Sequence, residues 1–466
     1  MRKYYWYFTA YLKKHGLVLV ASIIGAIVLF SILVPTLAQT FELKPRVYVG
    51  IVGKYTLNNL PEEITSQVSS GLTKTEEDGS TKPNLAERVS IEDDGQSYRY
   101  VLKKNLKWQD GKNLEPSDIN LPLKDTQVVA TKNDIVFKLP TPFAPFQSVV
   151  TQPLLRKIEQ KHRLFFTREN LIGLGDYFVS DYTLKSNHLS QIVLDSTAER
   201  KIYRFYLSED QMVLAFKRGE IDVIDNLHST HGLENWNNLK IEKTVRNDRY
   251  LGLFFDNHNP LFTKNVRQAL SYATSKPTDK NRAIGPINPN SWAYLVGGKT
   301  YAYDIDRAVE RILADLPQLP FVISLTTTSE FQNEAEKIKS EWDSFFAKAK
   351  EACNSNKDVK DKTICDNLNA QINLKVTNFP DLNNFEAILI GQETAGDPDQ
   401  YQLWHSDQPS NFTHYKNTRI DSLLERGRTT INQTERKEIY EEFQQFFLED
   451  APAIFIRHLE TYKVSR

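Results

Sequence analysis

Cysteine is scarce in this 466-residue chain. Its only two, Cys353 and Cys365, fall in a polar, Lys- and Asn-rich insert between two helical patterns. Two thiols cannot build a structural zinc site by themselves. None lies near the N-terminus, so attachment through a lipid-modified cysteine is excluded. Excess charge is also missing: 58 Lys and Arg stand against 59 Asp and Glu. Such a balance gives no reason to expect a nucleic-acid partner or an acidic surface. The G-x-S-x-G and H-E-x-x-H signatures of hydrolases are absent. Paired carboxylates discriminate nothing in a chain with so many acids. No enzyme activity, catalytic residue or cofactor is therefore expected. Gly173-x-Gly175 lacks a third glycine and precedes a strand, so it reads as a turn of close backbone approach and not as a phosphate loop. His228 and His231 have no convincing third ligand nearby in sequence, so no metal site is expected.

Aromatics, by contrast, are plentiful, with 21 Tyr, 25 Phe and 6 Trp. A large core accounts for most of them. The chain length predicts two or three domains. Arg2, Lys3, Lys13, Lys14 and His15 precede an uncharged run from Gly16 to Phe41, and Leu17 to Val34 is almost purely apolar. That is close to the roughly 20 residues that cross a bilayer. The basic flank predicts the N-terminus inside and the bulk of the chain outside the cell. Residues 1–16 read as a cytoplasmic N-terminus and 17–38 as a transmembrane anchor. A cleaved signal peptide is the rival, with Thr36-Leu37-Ala38 as a tolerable cleavage site. In an external compartment Cys353 and Cys365 are expected to form a disulfide.

The organising stretch is Tyr250 to Thr274, which reads strand, turn, helix. Tyr250–Phe255 is nearly all apolar, as a strand covered on both faces would be. Asp256 to Pro260 is a turn cluster. Thr263 is placed to cap a helix whose Val266, Ala269, Leu270 and Ala273 share one face. One compact unit ends here and another begins. Upstream, Glu87–Ile91 and Ser97–Leu102 form a hairpin about Asp94-Gly95, and Thr126–Ala130 and Asp134–Leu139 pair about Thr131-Lys132-Asn133. Trp108 is expected to be buried against this module. Gly219 caps a short helix from Asp210 to Arg218. Downstream, a strand from Phe321, a helix over Phe331–Phe346 and a strand over Ile372–Val376 predict a partly parallel sheet. Asn432 caps a last helix, which breaks at Asp450-Ala451-Pro452.

One ordered string of motifs goes further. Gly71-Leu72-Thr73, Asp78-Gly79, Pro83, Leu85-Ala86-Glu87, Asp94-Gly95, Trp108-Gln109-Asp110-Gly111 and Asp118-Ile119 together resemble the opening module of the family 5 extracellular solute-binding proteins. Asp397-Pro398-Asp399 and the run from Asn411 to Leu424 resemble later parts of the same family. The resemblance covers roughly residues 44–466. It implies an α/β fold of two lobes, periplasmic-binding-protein-like (class II, Venus-flytrap), here with an N-terminal transmembrane helix and a reduced accessory domain. Lobe I would comprise residues 45–60, 140–247 and 449–466, with 61–139 as its accessory domain. Lobe II would be 248–448, with the cysteine insert near 347–370.

The resemblance also implies a function. Family members capture peptides, dipeptides or nickel complexes between the lobes for ABC importers. A small peptide or similar solute and the transporter's permease subunits are the expected partners of a membrane-anchored monomer. Trp404, Asp397, Glu393, Asn411 and Trp292 are the candidate ligand contacts, although each also suits a purely structural role. A ligand role for Trp404 predicts that Trp404→Ala weakens binding at nearly unchanged melting temperature; a core role predicts a large drop. The loop before Asp397 is a residue short, and Glu393 is the only acid there to meet a peptide ammonium group. That departure keeps open a degenerate surface-binding, sensing or chaperone-like module without transport. Nickel chelates and oligosaccharides remain alternative ligands.

Overall fold

The computed structural model describes residues 2–40, 44–121, 123–162 and 166–466. Helix α1, Arg2–Thr40, carries the apolar run. Its axis bends by 55° between Tyr5–Val18 and Val20–Ser31. Among the described residues no single helix is long and apolar enough to cross a membrane; only that bent pair qualifies, by length and composition. The expectation of one uninterrupted transmembrane helix is corrected accordingly.

The body is organised on one ten-stranded sheet. In chain order its strands are β1 (Arg46–Val52), β2 (Phe178–Lys185), β3 (His188–Asp195), β4 (Arg200–Tyr206), β5 (Val223–Leu227), β6 (Lys240–Phe255), β7 (Val322–Thr327), β8 (Gln371–Val376), β9 (Ala387–Glu393) and β10 (Ala453–Ser465). Across the sheet they run β2-β3-β4-β1-β5-β10-β6-β9-β7-β8. Strand β1 lies parallel to β4 and β5. On the other side β7 lies parallel to β8 and β9. The two parallel blocks are the two lobes. Only β6 and β10, the longest strands, run through both.

These two strands are antiparallel partners with a fault between the lobes. Arg246 pairs with Leu459, yet the next pair is Tyr250 with His458. Asn247, Asp248 and Arg249 are thus surplus on β6, a bulge of the kind that bends a strand and aims its side chains. Beyond it, Tyr250–Phe255 is covered on both faces. Leu251, Leu253 and Phe255 enter one core cluster of lobe II, and Tyr250 and Phe254 enter the other. Thr263 caps helix α4 (Lys264–Ala273) by accepting from Val266 N. The helix is buried all round, not on one stripe. Arg267 and Gln268 are buried because they donate to backbone carbonyls of Asp450, Ala451 and Glu449.

Helix α5 (Gln332–Ser355) lies between β7 and β8 in sequence and is longer than its apolar spacing to Phe346 predicts. Ala349 and Cys353 continue the buried stripe begun by Trp342 and Phe345, so the helix runs into the expected insert. Cys353 is joined to Cys365, which sits in a short 3₁₀ turn, Lys362–Leu368. The bond pins that turn to the last helical turn.

The accessory module is a four-stranded antiparallel sheet ordered Ala86–Glu92, Ser97–Leu102, Asp134–Lys138, Gln127–Ala130. Its core holds Tyr98, Tyr100, Trp108 and Phe137, joined by Phe146, Val150, Leu154 and Ile172. The packing therefore divides the chain differently from the boundaries expected. Residues beyond 139 belong to the module's core. Conversely, helix α2 (Glu62–Val68) buries Ile64 and Val68 in lobe I. Gly173 and Gly175 pass so close to α2 that an added Cβ would lie 2.2 Å from Val68 O and 2.5 Å from Gln67 O.

Candidate ligand-binding site

Alternate residues of β1, Val47, Val49 and Ile51, share one face, as the two-residue period of a strand requires. That face, with Lys201 and Tyr203 of β4 and Val223 and Asp225 of β5, floors a cavity of about 560 Å³ at the waist. Glu63 and Gln67 of α2 form one wall. Glu209 at the start of helix α3 (Glu209–Lys217), Asn226, His228, Arg249 of the bulge and Lys463 of β10 complete it. The volume falls within the roughly 300–1,000 Å³ of small-molecule sites. Acids and bases both face it, so it suits a solute bearing both signs of charge.

Hydrogen bonds hold this lining in place. Gln67 Nε2 donates to Tyr203 Oη at 2.6 Å, and Lys201 Nζ donates to Gln67 Oε1 at 3.0 Å. Asn226 Nδ2 donates to Glu63 at 2.8 Å. In the bulge Arg246 clamps Asp248 through two bonds of 2.9 and 2.6 Å. Burial works to raise the Asp248 carboxyl, but Arg246 outweighs it and holds the group low. The Asp248 carbonyl accepts from Thr394 N at 2.7 Å, which ties the bulge to the end of β9. Arg249 pairs with Glu393 at 3.3 Å.

A second cluster borders the same cavity. Glu209 takes His228 Nδ1 on one oxygen and His231 Nε2 on the other, each at 2.7 Å. Burial pushes Glu209 up, yet the two imidazoles more than offset it and the carboxyl lies low. The hydrogen bond to Glu209 raises His228, against the pull of burial and with help from the charge of Glu330. Glu330 belongs to lobe II, just ahead of α5, and burial raises it. Lobe II thus stands within electrostatic reach of this corner of lobe I.

The accessory module touches lobe II directly. Trp292 N donates to Asp78 O at 2.9 Å, and Ala144 N donates to Arg428 O at 2.7 Å. Gly79, at φ +77°, lies so near Gly396 that a Cβ would fall 2.2 Å from its carbonyl oxygen. Only glycine fits there. Between these contacts remains a cavity of about 130 Å³, bounded by Tyr98, Gln147, Trp292, Asp397, Gln433 and Arg436 among others.

The five residues marked from sequence scatter across this geometry. Asp397 and Trp292 border the smaller cavity. Asp397 is buried and spends its charge on Arg436 through bonds of 2.8 and 2.5 Å. Glu393 is beside the large cavity only through Arg249. Trp404 is 1% exposed, packs on Phe447 with ring centroids 4.6 Å apart and borders neither cavity. Asn411 is buried too, donates to the carbonyls of His405 and Tyr415 and borders neither cavity. The lining of the large cavity escaped sequence reasoning because Glu63 and Gln67, four apart on α2, carry no motif. Lys201 and Tyr203, two apart on one strand, were the available signal.

Two lobes on a shared sheet, two crossing strands and a polar chamber at the crossing define a periplasmic-binding-protein-like protein. The sequence comparisons agree. Residues 120–343 match the model for the bacterial extracellular solute-binding proteins, family 5 (middle region). The oligopeptide-binding protein AppA of Bacillus subtilis is 24% identical over 88% of this chain and 85% of its own. Over that region the chain is similar to family 5 of the extracellular solute-binding proteins, which are non-enzymatic binding components of ABC transporters. Solved structures share the fold. The substrate-binding protein CtaP of Listeria monocytogenes superposes with a TM-score of 0.71 at 22% identity, covering 91% of this chain and 94% of that one. NikZ of Campylobacter jejuni, in complex with Ni(L-His), gives 0.67 at 20% identity over the same shares.

Proposed function

We propose that this protein captures a short peptide, or another small solute carrying both charges, in the waist cavity and presents it to the membrane subunits of an ABC importer. The observation that carries the reading is the chamber of about 560 Å³ with Glu63 and Asp225 on one hand and Lys201, Arg249 and Lys463 on the other. Opposite charges placed around one chamber match the two ends of a zwitterion. A guest that touches lobe I and the bulge at once favours the shut arrangement, because only that arrangement offers all its contacts. The peptide-binding name of the Bacillus relative supports this choice; the nickel complex of the Campylobacter structure makes a metal chelate the rival guest. The apolar α1 would keep the body at the outer face of the membrane, as an anchor or as a leader removed after export.

Mass spectrometry of whatever co-purifies with the protein, followed by titration of the stripped protein with the same compounds, tests the proposal. A bound di- to pentapeptide is expected. A protein that retains nothing and binds no peptide favours the second reading, a surface module without transport. That reading draws on one observation: Asp397, the acid of the Asp-Pro-Asp loop, is engaged by Arg436 and not offered to a ligand.

A further inference from the structure

At the far end of β6, away from the waist, two loops of lobe II bring together Asp256, His258 and His414. One ligand atom from each lies within 4.8 Å of the others. At about 3.3 Å per strand residue this place is roughly 20 Å from Arg249, so it is no part of the chamber. We propose that these three side chains form a binding site for a divalent transition-metal ion of the zinc or nickel type, independent of the solute site.

The geometry is set by the backbone. Asp256 Oδ1 accepts His258 N at 3.1 Å and His414 Nδ1 at 2.9 Å. The His258 and His414 rings lie parallel, 4.7 Å apart and 4° from coplanar orientation. The two loops are stitched by Asn257, whose backbone N donates to Thr413 O at 2.8 Å and whose side chain donates to the same oxygen at 3.1 Å. His414 itself sits at φ +51°. Histidine is one of the few residues enriched in that left-handed conformation, and the Asn257 bonds to Thr413 hold the loop there. Asp256 and His414 are thus held in position, while the exposed His258 is free to adjust.

The chemistry selects the ion. Two imidazoles and one carboxylate suit zinc, nickel, copper or cobalt and not calcium or magnesium, which require more oxygens. Bonds of about 2.1 Å place tetrahedral ligand atoms roughly 3.3 Å apart. The Asp256–His414 separation is already near that value, and a rotation of His258 supplies the rest. Remaining positions would be open to water, as in sites with three protein ligands.

The test uses the full chain without a polyhistidine tag, stripped of metal, titrated with Zn²⁺ alone by calorimetry. One ion per chain is expected, with His258→Ala and Asp256→Asn each weakening binding about tenfold or more. His414→Asn keeps a residue that tolerates the left-handed backbone and should do the same. Circular dichroism of the metal-free variants should match the parent. No binding by the parent below about millimolar zinc overturns the proposal. So does binding that survives in His258→Ala and His414→Asn, or that is lost only in His228→Ala at the waist.

Discussion

Arg436 meets Asp397 with both arms of its guanidinium, at 2.8 and 2.5 Å, and both residues are buried. The pair also fixes the Asp-Pro-Asp loop, because Asp397 Oδ1 accepts Asp399 N at 3.0 Å. Removing one member of a buried pair strands the other charge in a place of low polarisability. Asp397→Ala should therefore cost about 3–5 kcal/mol of stability. Denaturant melts check this. A loss below about 1 kcal/mol would show that Arg436 finds water or another partner.

Arg249 and Lys201 make the opposite prediction. Each borders the large cavity. Arg249→Ala or Lys201→Met should weaken the co-purifying solute about tenfold to a hundredfold, the value of one charged hydrogen bond. Melting temperatures should move by only about 2 °C. Fluorescence titration and thermal melts, measured on the same samples, separate the two effects.

Trp404→Ala should behave as a core deletion. The indole packs on Phe447 and stacks on Phe254. A loss of about 3–5 kcal/mol is expected. Weakened binding at unchanged melting temperature would return Trp404 to the ligand site.

The Glu209 cluster has a pH signature whose sign is fixed. His228 is raised, first by its bond to Glu209, so its stabilising share is whole below the unfolded value of about 6.5 and fades as pH climbs through the folded one. Glu209 is pushed up by burial but held low by the two imidazoles, so its share is whole above about 4.3 and fades on acidification. The melting-temperature gap between the parent and Glu209→Gln should peak between about pH 4.5 and 6.5 and shrink on both sides. A flat gap would mean that the bonds to His228 and His231 do not persist in solution.

Cys353→Ser with Cys365→Ser releases a link across a sequence separation of 12. Loop-closure entropy for that length corresponds to about 3 kcal/mol. Chemical denaturation of the double variant gives the value, and a change under about 0.5 kcal/mol would mean that the turn at Lys362–Leu368 holds without the bond.

Local rules carried far in this chain. Thr263 and Asn432 cap their helices as their positions suggested, because a cap is decided within three residues. The strands around Asp94-Gly95 and Thr131-Lys132-Asn133 pair for the same reason. What was not legible depends on contacts far apart in sequence. Asp222 takes its partner, Tyr48 N, from 174 residues away. The chamber gathers residues from Val47 to Lys463, and no window of sequence contains them. Trp404 and Asn411 looked available because they lie beside a loop motif; their burial is decided by Phe254 and Phe447 in one case and by the His405 and Tyr415 carbonyls in the other.

The three surplus residues at 247–249 have no counterpart on β10, which passes the same point with Leu459 and His458 in direct succession. On its other edge β6 is already paired at that point, with Arg249 opposite Glu393 of β9. Arg249 is thereby joined to the lobe II strands while Glu63 and Lys201 belong to lobe I, so the charges around the chamber are divided between the two halves and any parting of the lobes would part them too.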